Sequence, residues 1–311
     1  MKFCSLSPLV FPHALNHPID WSGQFDRSQK DFSLDVEIGF GMGEILMRKA
    51  QDFPEKCFVG IEQIWERIYK TMRSMTLAEY AFSNIRILQM DAYIVFERLF
   101  ATQSINNVYC LFPCPWPKKK HVKHRLFSPY FLKLLNDRLK PKGILQIVTD
   151  SQVYFDWVLE QAEATGFSVV TNIIQAQFDT KFERKWKAGG QEEFFEIKMI
   201  KTEHRDIPVK EDVFLKGYKV NIFDPQKFNF SDVIGDVTIV LKQFLFDERV
   251  QSGEVMMLVS EQDMTQYFRV AIIKKESGWR ICKAEGQVFF PTPGIAQALE
   301  EVYKKIKEAA L

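Results

Sequence analysis

The chain has 311 residues, 46% of them apolar, and a formal net charge of +1, so it is long enough for two cores and is no polyanion magnet as a whole. Any nucleic-acid binding must therefore come from local patches. Its five cysteines, at 4, 57, 110, 114 and 282, form no CxxC pair and leave one over, which argues against a disulfide framework or a zinc knuckle and suits a reducing cytoplasm.

Pro8, Pro12 and His13 interrupt the apolar N-terminal stretch and eighteen apolar residues never run together, so no targeting or membrane segment is expected. From residue 34 the chain alternates short apolar runs with helix-period stretches, the pattern of a parallel sheet covered by helices on both faces. Strands are expected at Leu34 to Ile38, Cys57 to Ile61, Ile85 to Leu88 and Asn107 to Phe112. Helices are expected from Glu44 and across Ile64, Trp65, Ile68, Tyr69 and Met72. Ser128 before Pro129 starts another helix, which Pro141 and Gly143 should stop before a strand at Ile144 to Thr149. A helix from Val153 to Thr165 follows, and strands near Ser168 to Ile174 and Glu193 to Ile200 bracket a loop from Gln175 to Glu192. The first domain, residues 1 to 204, thus reads as an α/β, Rossmann-like sheet of seven strands.

Residues 205 to 225, punctuated by Pro208, Gly217 and Pro225, read as a linker that has room for a strand or two. Residues 226 to 311 then form a small α+β accessory domain. Its strands are expected at Asp236 to Phe246, Glu254 to Ser260, Tyr267 to Lys274 and Trp279 to Ala284, and its closing helix at Gly294 to Ala310. From Arg205 onward 15 basic residues face 16 acidic ones, so composition alone points to no polyanion surface there.

Glu37-Ile-Gly-Phe-Gly-Met-Gly43 follows the first strand and opens a helix, where glycines permit a sharp turn and close ligand approach. Gly39, Gly41 and Gly43 are spaced G-x-G-x-G, which fails the dinucleotide pattern G-x-G-x-x-G and suits a ligand without a pyrophosphate, S-adenosylmethionine. Glu62 ends the second strand where a carboxylate would meet ribose hydroxyls, and Asp91 ends the third where an adenine amino group would be met. Each acid alone could be a solvated strand end. With Glu37 they place three acceptors at the carboxyl ends of three successive strands.

Residues 111 to 117 read Leu-Phe-Pro-Cys-Pro-Trp-Pro, in which three prolines push the residues before them toward extended geometry and set Cys114 and Trp116 on a stiff ledge. Lys118, Lys119, Lys120, Lys123 and Arg125 follow, five cations within eight residues. A solvated charged helix start is the plain reading of such a run; its place beside a presumed pocket favours phosphate contact instead. His121 and His124 lack partners at zinc spacing, so no metal is expected. Trp116 either stacks on a flipped base or packs the loop onto the sheet.

The ledge lies where N-methyltransferases with an (Asn/Asp)-Pro-Pro-aromatic turn hold their target base. Six ordered segments between residues 30 and 200 closely resemble the bacterial tRNA (guanine-N7)-methyltransferases: the glycine run, Phe58-Val-Gly-Ile-Glu62, Phe112 through His121, Leu139-Lys-Pro-Lys-Gly143, Thr149-Asp150 with Tyr154 and Trp157, and Thr180-Lys-Phe-Glu183. The resemblance implies a class I methyltransferase fold, S-adenosylmethionine held by the glycine segment with Glu37, Glu62 and Asp91, and a guanosine of the tRNA variable loop as substrate. It implies that Lys118, Asp150, Thr180 and Glu183 engage that guanosine; the place of Lys119, Lys120, Lys123 and Arg125 beside the presumed pocket has them meet tRNA phosphates. One departure stands out. The family motif reads Phe-Pro-Asp-Pro-Trp with a catalytic aspartate, and this chain has Cys114 there.

Guanine N7 carries an in-plane lone pair and no proton, so its methylation needs no general base, and carboxylates such as Asp150 and Glu183 could stabilise the charge arriving on the purine. The Pro-Cys pair is also seen in C5-pyrimidine methyltransferases, whose thiolate attacks the ring; N7 needs no such nucleophile, and Cys114 reads as a small wall residue. Two rival readings stand beside this one. The chain could methylate another RNA or a protein, or could bind tRNA with catalysis impaired.

Overall fold

The computed structural model describes residues 4–28, 32–190, 192–262 and 264–309. It divides into two compact units, Met1–Lys210 and Glu211–Leu311.

After a short helix α1 (Trp21–Gln24), the first unit alternates β1 (Leu34–Ile38), α2 (Glu44–Asp52), β2 (Cys57–Glu62), α3 (Trp65–Leu77), β3 (Ile85–Gln89), α4 (Ala92–Arg98), β4 (Ile105–Leu111), α5 (Pro129–Arg138), β5 (Leu139–Thr149), α6 (Gln152–Gln161), β6 (Phe167–Gln175), α7 (Lys181–Ala188) and β7 (Glu193–Lys201). Its seven strands lie in the order β3-β2-β1-β4-β5-β7-β6. The first five run parallel, and β7 is antiparallel to both β5 and β6. Every residue of β1 is buried, as befits a strand covered on both faces. The chain winds one way from β1 to β2 and β3 and the other way to β4 and β5. The crevice at the carboxyl ends of β1 and β4 is therefore the switch point where open α/β sheets bind ligands.

Two local expectations change. The segment expected as a loop between Gln175 and Glu192 contains α7, because Thr180 and Glu183 form a reciprocal capping box that starts a helix. And β5 begins at Leu139, directly after α5, instead of at Ile144: Leu139 pairs with Ile105, and a register irregularity between Ile105 and Asn107 absorbs the proline and glycine.

The second unit is a five-stranded antiparallel sheet in the order β8-β12-β11-β10-β9, formed by β8 (Tyr218–Val220), β9 (Val237–Asp247), β10 (Ser252–Glu261), β11 (Met264–Lys275) and β12 (Gly278–Lys283). β8 lies inside the 205 to 225 stretch and pairs with β12. One sheet face, carrying Ile239, Val255, Met257, Phe268, Val270 and Ile281, shares a core with Ile295, Leu299, Val302 and Ile306 of α8 (Pro293–Ala309). Ala310, the expected last residue of that helix, lies outside the described residues.

The three glycines of the first turn do different work. Gly39 and Gly41 have φ of +70° and +58°, and a Cβ on Gly39 would meet nothing within 4 Å. Gly43, the left-handed N-cap of α2 with φ of +73°, sits against α3, where a Cβ would fall 2.3 Å from Thr71 Cγ2. Gly43→Ala should therefore cost about 2–4 kcal/mol through strain and overpacking, and Gly41→Ala only about 1 kcal/mol. Thermal melts of the two variants check this, and equal losses would contradict it.

Candidate active site

Two cavities open at the carboxyl end of the central strands. One, of about 270 Å³, is lined by Glu37, Gly39, Phe40, Gly41, Glu44 and Thr180 among others. The second, of about 420 Å³, runs past Glu62, Gln63 and Asp91 to Cys110, Cys114 and Trp116. Gly39, Arg67, Leu111 and Phe112 border both, so the pair forms one bent cleft.

Glu37 lies in the floor of the smaller cavity. The side chain is only 5% exposed, and its Oε2 has no hydrogen-bond partner among the described residues. Burial pushes its carboxyl up to about 8, offset in part by the Lys49 ammonium. That ammonium rests 3.8 Å from the centre of the Tyr109 ring. Unpaired buried carboxyl groups are costly, which makes Glu37 a candidate position for a ligand donor or cation.

Glu62 is held rigidly. Its Oε1 accepts the N–H groups of Gln63 and Ile64 at 3.0 and 3.1 Å, and its Oε2 accepts the Gly41 N–H at 3.1 Å. Arg67 approaches the same oxygen at 3.4 Å. Asp91 caps α4 through the Tyr93 N–H at 2.8 Å and accepts from Gln63 Nε2 at 2.6 Å. These two acids thus edge the larger cavity with fixed acceptors.

The ledge differs from expectation at two residues. Phe112 and Trp116, which precede Pro113 and Pro117, have φ of +56° and +42°. A following proline disfavours the right-handed helical region; here the chain escapes to the left-handed side, at about 1–3 kcal/mol per residue, and neighbouring contacts hold it there. The Phe112 N–H donates to the Val148 carbonyl at 2.7 Å, and its ring meets Trp186 and Phe194. Arg125 holds the other bend. Its Nε donates to the Pro115 carbonyl at 3.0 Å and its Nη2 to that of Trp116 at 3.4 Å, while its guanidinium lies 5.2 Å from the Trp157 ring. At 7% exposure Arg125 faces inward, which corrects its expected place among surface phosphate contacts.

Lys118, Lys119, Lys120 and Lys123 are exposed, on and just before a 3₁₀ turn spanning Lys119–His124. Cys114 is exposed and borders the larger cavity, beside His124 and Trp116, whose rings lie 5.2 Å apart. Asp150 follows β5 at the same end of the sheet, and burial raises its carboxyl above the ordinary value. Glu183 is 2% exposed, and its two oxygens accept N–H groups from Gln177, Phe178 and Thr180. It shapes the turn that places Thr180 against the smaller cavity. Arg184 on α7 pairs with Glu44 on α2, and Arg48 donates to the Phe178 carbonyl at 2.8 Å, tying that turn down. Gln63, Arg67, Cys110 and the inward Arg125 were not foreseen. For Gln63 and Arg67 the signal was available, since each is a helix-start donor a few residues after a strand-end acid.

The comparisons fall on this unit and beyond it. A family model described as a putative methyltransferase matches residues 32–196. A Chlorobium phaeobacteroides protein named tRNA (guanine-N(7)-)-methyltransferase is 47% identical over 172 residues, covering 55% of this chain and 83% of that protein. An Aquifex aeolicus protein of the same name is 30% identical over 256 residues, 80% of this chain and 86% of its own length. A third, from Deinococcus radiodurans, is 29% identical over 284 residues, 86% and 87% respectively. The last two alignments are longer than the first unit, so they extend into the second.

The state of Glu37 has a measurable consequence. A folded-state carboxyl raised from near 4.5 to about 8 stabilises the fold when protonated and loses that stabilisation as pH rises between those values. The unfolding free energy of Glu37→Gln, from denaturant melts at each pH, should therefore exceed that of the ligand-free wild type by an amount that grows from pH 5 to pH 8, on the order of a few kcal/mol at the upper end, then levels off. A difference independent of pH would contradict the assignment.

Proposed function

The chain belongs to the bacterial tRNA (guanine-N7)-methyltransferase family, and from that premise we propose that it transfers a methyl group from S-adenosylmethionine to N7 of the variable-loop guanosine of tRNA. The observation that carries this reading is one cleft that joins an orphaned carboxylate and an open glycine cradle to an aromatic ledge flanked by exposed lysines. The residues fit the cofactor: Glu37 has an unmatched buried oxygen for its amino group, the turn at Gly39 and Gly41 has space where a Cβ would intrude, and Glu62 and Asp91 offer acceptors for the adenosine. Gly43 serves the same site indirectly, by seating α2. When bound, S-adenosylmethionine supplies a methyl group made electrophilic by its sulfonium.

The protein's task is then to align an in-plane lone pair with that methyl group and to stabilise the charge that moves onto the purine. We assign contact with the guanine to Asp150, Thr180 and Lys118, with Glu183 fixing the turn. Burial lifts the Asp150 carboxyl above its ordinary value. Because N7 has no proton to lose, Cys114 is a wall of the base site and not a base or nucleophile. Lys119, Lys120 and Lys123 meet tRNA phosphates. Catalysis resides in residues 1 to 204, with 226 to 311 as an accessory domain. No described helix is long and apolar enough to cross a membrane; a tRNA substrate supports our reading of a cytoplasmic enzyme.

Incubation with a tRNA, its variable-loop guanosine variant, ribosomal RNA and methyl-labelled cofactor tests the reading. Label should enter the first alone; label in ribosomal RNA or protein with none in tRNA would overturn it. In the same assay Cys114→Ser should keep turnover within roughly twofold and Cys114→Asp should raise it, whereas a ~100-fold loss with serine would restore the nucleophile.

The two kinds of cation separate by salt dependence. Joint replacement of Lys119, Lys120 and Lys123 by glutamine should flatten the logarithmic salt slope of tRNA binding by about 2–3. Arg125→Gln should leave that slope unchanged and lower turnover by roughly tenfold, because it loosens the ledge without touching phosphate. A flattened slope in Arg125→Gln would return it to the surface.

A further inference from the structure

The second unit carries a cavity of about 200 Å³ lined by Lys219, Lys275, Ser277, Gly278, Trp279 and Arg280, unconnected with the chemistry described above. Its three cations converge for a structural reason. β8 and β12 pair so that Lys219 stands directly opposite Arg280, and Lys275 stands opposite Gly278 where the β11–β12 hairpin turns. Gly278 makes this approach possible: its φ is +113°, and a Cβ there would lie 2.4 Å from the Val220 carbonyl oxygen of β8. Like charges directly opposite on neighbouring strands destabilise a sheet. Among the described residues Lys219, Lys275 and Arg280 form no ion pair, although Glu276 sits at the tip of the same hairpin. An arrangement of three uncompensated cations around a small concavity, with a hydroxyl from Ser277, is complementary to a phosphate group.

The surroundings favour a polymer over a free anion. Arg280 alternates with the buried Trp279 and Ile281, so it projects from the sheet face opposite α8. On that face β11 presents Ile273, Arg269 and Tyr267 in line, and Tyr267 is 63% exposed, roughly 20 Å from the position opposite Arg280. A cationic pocket followed by an exposed aromatic ring along one strand is the combination that grips a nucleic-acid backbone and stacks a base. Composition conceals it, since acids elsewhere in the unit bring the balance close to neutral.

We infer that the pocket formed by Lys219, Lys275 and Arg280 is a second RNA-phosphate site, through which the C-terminal unit holds the tRNA that the first unit modifies. The inference rests on the reading of the chain as a tRNA methyltransferase. Its test uses the full chain with Lys219, Lys275 and Arg280 all changed to glutamine, exposed positions whose replacement spares the core. A charge-matched control changes Lys227, Lys304 and Lys307, of which Lys304 and Lys307 lie on α8, across the sheet.

The pocket variant should raise the KM for tRNA roughly tenfold and flatten the salt slope of tRNA binding by about 2–3, with kcat at saturating tRNA and cofactor affinity unchanged. The control should do neither. Wild-type KM and slope in the pocket variant would overturn the inference, as would an equal loss in the control. Tight binding of inorganic phosphate that depends on these residues while tRNA binding does not would assign the pocket to a free anion and overturn it too. If the triple variant melts early, Lys275→Gln alone should flatten the slope by about 1, and an unchanged slope would count against the site. Absence of methyl transfer to tRNA by the wild type would instead sink the proposed function, which separates the two failures.

Discussion

A carboxylate buried on the central strand without a protein partner is the constraint around which the cleft is arranged. Glu37 lies in β1, whose residues are all buried, so water cannot solvate its charge. Lys49 lies close enough to influence it but leaves Oε2 unmatched. The fold tolerates this because the turn that follows, with Gly39 and Gly41 at positive φ, opens a cavity directly over the acid. In the proposed function, a ligand amino group completes the interaction that folding leaves undone. Stability and function thus oppose each other at one residue.

The same cleft shows how neighbouring residues of one type divide into support and contact. Gly43 is a packing glycine against Thr71, whereas Gly39 and Gly41 face open space. Arg125 binds two ledge carbonyls and stacks near Trp157, whereas the lysines of the same run face solvent. Glu183 is consumed by three backbone N–H groups, which leaves Thr180 to line the cavity. In each case a motif supplies both an open surface and the frame that keeps it in place. Left-handed backbone at Phe112 and Trp116 is the strain that this frame sustains.

Much of this was legible in the residues. The short apolar runs and helix-period stretches mark all seven strands of the first sheet, and the glycine turn and three strand-end acids fall together on the cleft at the carboxyl ends of those strands. What escaped was decided by direction and by short-range competition. A 3₁₀ turn advances three residues per turn, so a basic run cannot say which of its members points inward; only the carbonyls of Pro115 and Trp116 settle Arg125. The helix α7 starts at the Thr180 to Glu183 capping box, so residues that match a family substrate motif also carry a local helix-start signal. The strand β8 is three residues long and is defined by a partner sixty residues away, beyond the reach of any window.

The central claim is that Glu37 is a buried acid waiting for a ligand cation. Its most direct test is a pH titration of the Glu37 carboxyl carbon by nuclear magnetic resonance, in the free protein and with S-adenosylhomocysteine. The account predicts a titration near 8 in the free protein that moves well into the acid range when the ligand binds. An ordinary carboxylate titration in the free protein, or one that the ligand leaves in place, would contradict it.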